Sequence, residues 1–270
     1  MQMKFDLHTH HQRCGHAVGE IEDYVIAALD QGLDAIGISD HAPFFGSDKE
    51  QELPGVAMAK LEFPAYVEEV LQLKKKYANR IEVLLGVEAD FLPDHVHTYE
   101  QQLQKYPFDY VIGSVHFTLG RNIFDKSRWE SADASEMLKV KEAYYDLIAA
   151  SAQTGSYQVL GHIDAIKGFC PEMADLKTNK VDEALKVIAK NHVAIEVNTS
   201  GKMKDCGGWY PGDDLLERAF HYNVPITLGS DAHDPQRVGD DLEAVREKLK
   251  SIGFTEWCYF REKGPVIVKL

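Results

Sequence analysis

A short apolar run recurs seven times along the 270 residues, and this repetition constrains the fold more than any other feature. Each run is rich in Val, Ile or Leu, as expected for a strand buried on both faces of a sheet. The runs lie at residues 3–7, 35–39, 81–87, 110–114, 158–160, 194–198 and 225–228. They predict seven short strands, and longer amphipathic stretches separate most of them.

Those stretches have apolar residues at helical spacing, and Gly32 follows the first of them at a typical stop position. The predicted helices lie at residues 22–31, 64–77, 135–151, 181–190, 213–222 and 240–251. Strands that alternate with helices indicate an α/β fold with a parallel sheet, closed or nearly so, and helices outside it. The length suits a single barrel domain over residues 1–270. Two last apolar pieces, at 257–260 and 265–268, predict a terminal hairpin.

Two histidines one residue apart follow the first run, in Asp6-Leu7-His8-Thr9-His10. Side chains alternate along a strand, so His8 and His10 point the same way, whereas His11 faces away from them. Two imidazoles on one side of a strand end are half of a metal site.

Seven further potential metal ligands lie along the chain, most of them directly after one of the other runs. They are His16, His41, Glu88, His116, His162, Asp231 and His233. In parallel barrels the working residues lie at the C-terminal ends of the strands, so these side chains are expected to meet at one mouth. Asp6, Asp40 and Asp164 are candidates to orient the imidazoles by accepting their second N–H.

Nine ligands exceed the four that a single tetrahedral zinc requires, so they predict two or three divalent ions. Glu88 is the preferred bridge between ions, because a carboxylate offers two oxygens where an imidazole offers one free nitrogen. The set contains no Cys, which favours zinc, iron or manganese. Such ions can clamp the attacking and leaving oxygens of a displacement at phosphorus and supply hydroxide at neutral pH. The pattern therefore predicts hydrolysis of a phosphate ester.

Composition excludes several other classes of protein. The formal net charge of −14 argues against a face that binds the phosphate backbone of long nucleic acids. The four cysteines, at 14, 170, 206 and 258, form no Cys-x-x-Cys pair and suit a reducing compartment. No signal peptide and no membrane-spanning apolar stretch are evident, so we expect a soluble, cytoplasmic protein that acts on a small molecule. The oligomeric state is left open.

Seven motifs in order resemble the polymerase and histidinol phosphatase (PHP) family of metal-dependent phosphoesterases. They are Asp-Leu-His-Thr-His at 6–10, Arg-Cys-Gly-His at 13–16, Ser-Asp-His at 39–41, Gly-Val-Glu at 86–88, Gly-Ser-Val-His at 113–116, Gly-His-Ile-Asp at 161–164 and Gly-Ser-Asp-Ala-His at 229–233. The resemblance spans essentially the whole chain. It implies a distorted (β/α)7 barrel, with parallel strands and outer helices, that holds three metal ions.

The resemblance also implies how the ligands divide among the three ions. By the family pattern, one ion takes His8, His10, Glu88 and Asp231; a second takes Glu88, His116 and His162; and a third takes His16, His41 and His233. Glu88, Asp231 and His233 are also the predicted catalytic residues.

Within the family, the length and the segments at 10–16 and 196–201 resemble the members that hydrolyse L-histidinol phosphate to L-histidinol and phosphate in histidine biosynthesis. The candidates for binding such a substrate are Arg13, Lys167, Lys202, Lys204, Arg237, Phe117 and Trp209. Arginine grips phosphate with two hydrogen bonds, whereas lysine acts as a point charge. Nucleotides, oligonucleotides and phosphotyrosine remain alternative substrates of the same centre. A non-enzymatic module is disfavoured, because such a module would have lost ligands.

Overall fold

A computed structural model describes residues 2–270 of the chain. Its strands are β1 (Phe5–Asp6), β2 (Ala35–Ile38), β3 (Glu82–Leu85), β4 (Glu88–Asp90), β5 (Ile112–Ser114), β6 (Phe117–Thr118), β7 (Arg121–Asn122), β8 (Val159–Leu160), β9 (Ala194–Asn198), β10 (Ile226–Gly229), β11 (Glu256–Arg261) and β12 (Gly264–Lys269). Its α-helices are α1 (Ile21–Asp30), α2 (Phe63–Tyr77), α3 (Val96–Leu103), α4 (Ala134–Gln153), α5 (Lys180–Lys190), α6 (Asp213–His221) and α7 (Leu242–Ile252).

The strands form a distorted barrel of seven parallel positions, which confirms the predicted fold class. One sheet has the order β1-β2-β3 and a second has the order β10-β9-β8-β5-β4, with every neighbouring pair parallel. β3 and β4 are two parts of one interrupted strand position, because Val87 between them accepts a hydrogen bond from the backbone N–H of Ile112. At the other junction the Leu7 N–H donates to Leu228 O at 3.1 Å, so β1 lies beside β10 and the ring closes.

Tyr110 fills the barrel interior, and two glycines make room for it. A Cβ on Gly37 would lie 1.9 Å from the Tyr110 hydroxyl oxygen, and a Cβ on Gly86 would lie 2.3 Å from the ring carbon that carries it. The hydroxyl donates to the carbonyl of Leu7. Side chains larger than hydrogen at these two positions would therefore expel the ring from the core.

The six predicted helices are present, each within two residues of its predicted ends, and they pack outside the strands. Their apolar stripes join the strand side chains in one connected core. Helix α4 begins where the Asp133 carboxylate accepts the backbone N–H groups of Ser135 and Glu136, both at 2.9 Å. Helix α3 and the small β6–β7 hairpin were not predicted. None of the helices in residues 2–270 combines the length and apolar content that crossing a bilayer requires.

The predicted terminal hairpin is confirmed as β11 paired antiparallel with β12. It crosses the end of the barrel where the strands begin. The Phe5 and Trp257 ring centroids are 4.8 Å apart, and the backbone N–H of Lys263 donates to Asp109 O at 2.7 Å. The opposite end, where the strands finish, stays open and carries the functional side chains.

Candidate metal centre

The first group of ligands lies at the junction between β1 and β10. His8 and His10 follow β1 on the same side and are almost fully buried. Asp231 follows β10, and its Oδ1 lies 3.0 Å from His10 Nε2 and 3.8 Å from His8 Nε2. Glu88 Oε2 lies 3.4 Å and 3.7 Å from the same two nitrogens. These four side chains face a common point.

Glu88 faces a second group with its other oxygen. Oε1 lies 3.0 Å from His162 Nε2 and 3.5 Å from His116 Nε2, and those two nitrogens are 3.2 Å apart. Since Glu88 opens β4 and is 1% exposed, its carboxylate is held between the two groups. That is the placement a bridging ligand requires.

A third group lies nearer the solvent. His16 Nε2 and His233 Nε2 are 2.8 Å apart, and the rings of His233 and His10 stack with centroids 4.1 Å apart. His41 lies beside this group, within metal-binding distance of His10 and His233, and its Nδ1 also lies 2.8 Å from Glu88 Oε2. The structure thus brings all nine predicted ligands to one mouth, with His41 turned towards the shared carboxylate.

The residues fit bound cations. His8 Nε2, His10 Nε2 and Glu88 Oε2 are buried, and no atom of residues 2–270 forms a hydrogen bond with them. Buried polar atoms are normally satisfied, so unsatisfied nitrogens and oxygens that face one another in a cluster fit a cation bound among them. Imidazole nitrogens and carboxylate oxygens are the ligands that zinc, iron and manganese accept.

The electrostatics of the centre point the same way. Burial alone would raise the pKa of Glu88, but His41, His8 and His116 outweigh it and hold that pKa well below its usual range. Burial lowers the pKa of His10, yet the carboxylates of Asp231 and Asp40 on either side of its ring raise the pKa to about 9. The carboxylates therefore stay anionic and demand positive charge, which protons on the imidazoles supply when cations do not.

The His233 imidazole has the opposite environment. Burial, together with the neighbouring charge of His10, lowers the pKa of His233 to about 3. Its Nδ1–H donates to the backbone carbonyl of Asp231 at 3.0 Å, which leaves Nε2 with a free lone pair. His233 is therefore a neutral ligand at ordinary pH.

Three carboxylates, two of them fully buried, orient the imidazoles from behind. His10 Nδ1 lies 3.1 Å from Asp40, and His116 Nδ1 lies 2.6 Å from Asp90. Glu196 lies 3.0 Å and 2.9 Å from His8 Nδ1 through its two oxygens. Asp40 was predicted in this role, whereas Asp90 and Glu196 were missed. Asp90 could have been found, because it lies two residues after Glu88 and so faces the same side of the strand.

The predicted roles of Asp6 and Asp164 are wrong. Asp6 accepts the backbone N–H groups of His8, Ser230 and Gly239. It therefore connects the loops that carry the ligands and does not contact an imidazole. Asp164 pairs with the ammonium of Lys167 and accepts the hydroxyl of Tyr145. Both carboxylates are satisfied by groups other than histidine rings.

Two ligands have a left-handed backbone that is unusual for residues other than glycine. His162 has φ of 28° and Asp231 has φ of 54°. Such conformations store strain and persist where the surrounding structure over-determines them. At this mouth the strain aims both side chains inward.

The mouth opens into a cavity of about 440 Å³. Phe117, Lys204 and Arg237, three of the predicted substrate-binding residues, line it together with most of the ligands. The other four predicted substrate-binding residues have partners elsewhere. Arg13 pairs with Glu69 at 2.7 Å, Lys167 pairs with Asp164, Lys202 lies 2.7 Å from Asp240 and 3.0 Å from Asp241, and Trp209 Nε1–H donates to Asp241 at 3.0 Å. The structure does not place these four around the cavity.

A parallel barrel whose open mouth gathers imidazoles and carboxylates around one cavity belongs to the class of metal-dependent α/β-barrel hydrolases. The PHP domain family matches residues 6–200, and the chain belongs to that family.

Similar proteins extend over nearly the whole chain. The "probable histidinol-phosphatase" of Deinococcus radiodurans is 34% identical over 254 residues, which cover 92% of this chain and 93% of that protein. A protein of the same name from Schizosaccharomyces pombe is 31% identical, with 97% and 91% covered. The crystal structure of histidinol phosphate phosphatase from Lactococcus lactis, complexed with zinc, L-histidinol and phosphate, has the same fold, with a TM-score of 0.81 and 22% identity over 97% of this chain and 98% of that one.

Proposed function

We propose that this protein is a metal-dependent histidinol-phosphatase, which hydrolyses L-histidinol phosphate to L-histidinol and phosphate. The observation that carries the proposal is the set of nine metal-binding side chains at one mouth, seven of which line its cavity, in a chain whose relatives over nearly its whole length bear that name. The Lactococcus structure of the same fold binds zinc, L-histidinol and phosphate. The reaction places the protein in histidine biosynthesis, and we propose that it works in the cytoplasm.

We further propose that the cavity holds three divalent ions of zinc, iron or manganese, shared among the nine ligands as the family pattern implies. The clusters that can hold an ion include His8 with His10 and Glu88, and His41 with Glu88 and His116. When bound, such ions stabilise charge on phosphoryl oxygens and lower the pKa of water towards ~7. Glu88 has one oxygen on each side of the cluster, so it fixes the spacing of the groups that face the phosphate.

The cavity wall suits the charges of this substrate. Lys204, and Arg237 although it also pairs with Asp240 at 2.9 Å, supply cationic groups for the phosphate oxygens, close to the ligands. Asp90 is an acidic wall residue on the side of His116, and Phe117 and Phe124 present aromatic faces nearby. A substrate that carries a phosphate, an ammonium group and an imidazole would meet complementary chemistry on each side.

The test is a comparison of phosphate esters on one preparation. The protein is stripped with a chelator, reloaded with zinc or manganese, and assayed on L-histidinol phosphate, phosphotyrosine and a nucleoside monophosphate. We expect activity only with metal and a kcat/KM for L-histidinol phosphate that exceeds the others by at least about 100-fold, because a site built for a charged substrate rejects analogues that leave its polar groups unpaired. Equal rates on all three esters, or full activity after metal removal, would contradict the proposal. His10→Ala is the inactive control, since it removes a ligand.

A further inference from the structure

We propose that Glu196 is a positioning residue that couples two halves of the metal centre, by holding His8 through its side chain and His162 through its backbone. This inference rests on the metal binding of the proposed function. His8 and His162 belong, by the family pattern, to different ions. Glu196 itself contacts neither the cavity nor a substrate, so its effect would pass through these two ligands.

The contact with His8 decides which ring nitrogen can bind a cation. Glu196 lies in the middle of β9, is fully buried, and brings both oxygens within 3.0 Å of His8 Nδ1. A carboxylate can only accept, so Nδ1 carries the hydrogen and donates it. Nε2 is then left with its lone pair, and it faces Glu88 Oε2 at 3.4 Å. Glu196 therefore fixes the tautomer in which His8 serves as a ligand.

The contact with His162 acts on the backbone. The His162 N–H donates to Glu196 Oε1 at 2.8 Å, at the residue whose φ of 28° is sterically unusual. This hydrogen bond helps to hold a strained conformation that directs His162 Nε2 to within 3.0 Å of Glu88 Oε1. A single carboxylate is thus shared by ligands on both sides of Glu88.

Neighbouring groups hold the Glu196 carboxylate in a single position. Asn198 Nδ2–H donates to Oε1 at 2.7 Å. A Cβ on Gly229 would lie 2.3 Å from Glu196 Oε2 and 2.6 Å from the Cβ of His8, so the absence of a side chain there permits the close approach. Packing and hydrogen bonds together pre-set the angle at which His8 enters the mouth.

The experiment measures metal binding, with no substrate present. Wild-type protein and Glu196→Gln are stripped, titrated with Zn²⁺ against a competing chelator, and analysed for bound metal per chain. Glutamine keeps the size but can turn its NH2 group towards Nδ1, which favours the wrong tautomer of His8. We expect Zn²⁺ affinity to fall about 10–100-fold. Both halves of the centre are affected. At the lowest free Zn²⁺ concentration that saturates the wild type, the variant should therefore bind at least one equivalent less per chain. Glu196→Asp, which keeps the charge, should recover part of the affinity.

Asp109→Asn is the matched control. Asp109 is also a buried carboxylate, and it accepts the backbone N–H of Leu85 at 2.8 Å, but it lies at the opposite end of the barrel. We expect this variant to lower the melting temperature and to bind Zn²⁺ like the wild type.

A Glu196→Gln variant that melts lower but binds Zn²⁺ normally would overturn the inference and leave Glu196 a purely structural role. If Glu196→Gln does not fold, Glu196→Asp alone decides, since normal affinity in that shortened side chain would exclude a positioning role. Failure of the wild type to bind Zn²⁺, Mn²⁺ or Fe²⁺ would refute both this inference and the proposed function. If Zn²⁺ binding is as expected but the enzyme prefers a different phosphate ester, only the proposed substrate would be refuted.

Discussion

The two ends of the barrel are built from different interactions. At the end where the strands begin, the β11–β12 hairpin covers apolar side chains, with Trp257 1% exposed against Phe5 and the Cys258 thiol near Ile226 O at 3.5 Å. At the mouth, buried histidines and carboxylates crowd together, and two ligands have a strained backbone. Burial of apolar surface stabilises the first end without help, whereas the second needs cations to satisfy its charges.

The comparison teaches that stability and function are separated along the barrel axis. Asp109 at the closed end is a buried carboxylate, yet backbone N–H groups and Lys74, at 2.6 Å, satisfy it within the protein. At the mouth, Glu88 has an oxygen that no hydrogen bond from residues 2–270 reaches. A buried carboxylate is therefore structural at one end and a candidate metal ligand at the other.

The largest expected effect comes from Glu88→Gln, which removes the shared carboxylate at the mouth. Both ligand groups lose an anionic oxygen, and damage of ~10–100-fold at each predicts a fall in activity of about 10²–10⁴-fold. Metal analysis should show a loss of more than one equivalent per chain. Circular dichroism should show that the fold is retained. A variant that keeps all its metal would contradict the bridging role.

The closed end is tested by Trp257→Ala. Truncating a buried tryptophan typically costs about 3–5 kcal/mol, because apolar contacts are lost and a cavity is left behind. We expect urea unfolding to show that loss, while the metal bound per folded chain stays at the wild-type value. If metal binding fell in proportion to stability, the proposed separation of the two ends would be wrong.

A smaller effect is expected from Lys204→Met on the cavity wall. The Lys204 ammonium lies 5.6 Å from the ring centre of Phe124, and no carboxylate within residues 2–270 pairs with it. Loss of a charged hydrogen bond to phosphate, worth about 1.5–3 kcal/mol, predicts a fall in kcat/KM of at least about 10-fold. Steady-state kinetics on L-histidinol phosphate measures it. Lys202→Met is the matched control, since Lys202 pairs with Asp240 and should change kcat/KM little.

The smallest effect is expected from Arg261→Gln, on the outer surface of the closed end. The Arg261 side chain is 52% exposed, and it pairs with Glu82. Exposed ion pairs contribute ~0–1 kcal/mol, so the free energy of unfolding should change by less than about 1 kcal/mol. Activity should be unchanged. A measurable loss of activity would show that the hairpin influences the mouth.

The sequence was sufficient to predict the barrel because both of its patterns are strong: short apolar runs for the strands, and apolar residues at helical spacing for the helices. The β9 run at 194–198 coincides with the observed strand, and the α2 prediction differs by one residue at its start. Helix α3 was missed because it is short and shows only two buried positions, Tyr99 and Leu103. Several of the other strands are shorter than predicted, and β1 is limited to Phe5–Asp6.

The candidate ligands could be proposed because most of them, His16 excepted, lie near a strand end, which local pattern reveals. Their supporting groups could not, because such contacts depend on how distant segments meet. Glu196 is 188 residues from His8 in sequence and lies in an apolar run, where its carboxylate alone was the signal. Asp6 and Asp164 were predicted to contact imidazoles because they lie close to the candidate ligands in sequence. In the folded chain they instead contact the backbone N–H of Gly239 and the ammonium of Lys167, respectively.

Closure of the ring between Leu7 and Leu228 makes the centre a late product of protein synthesis. A growing chain that stops short of β10 already has His8, His10 and Glu88, but it lacks Asp231 and His233 and the neighbour that β1 needs. Contacts between such distant segments also form slowly, because a long loop must close first. The complete set of candidate ligands therefore comes together only in the finished barrel.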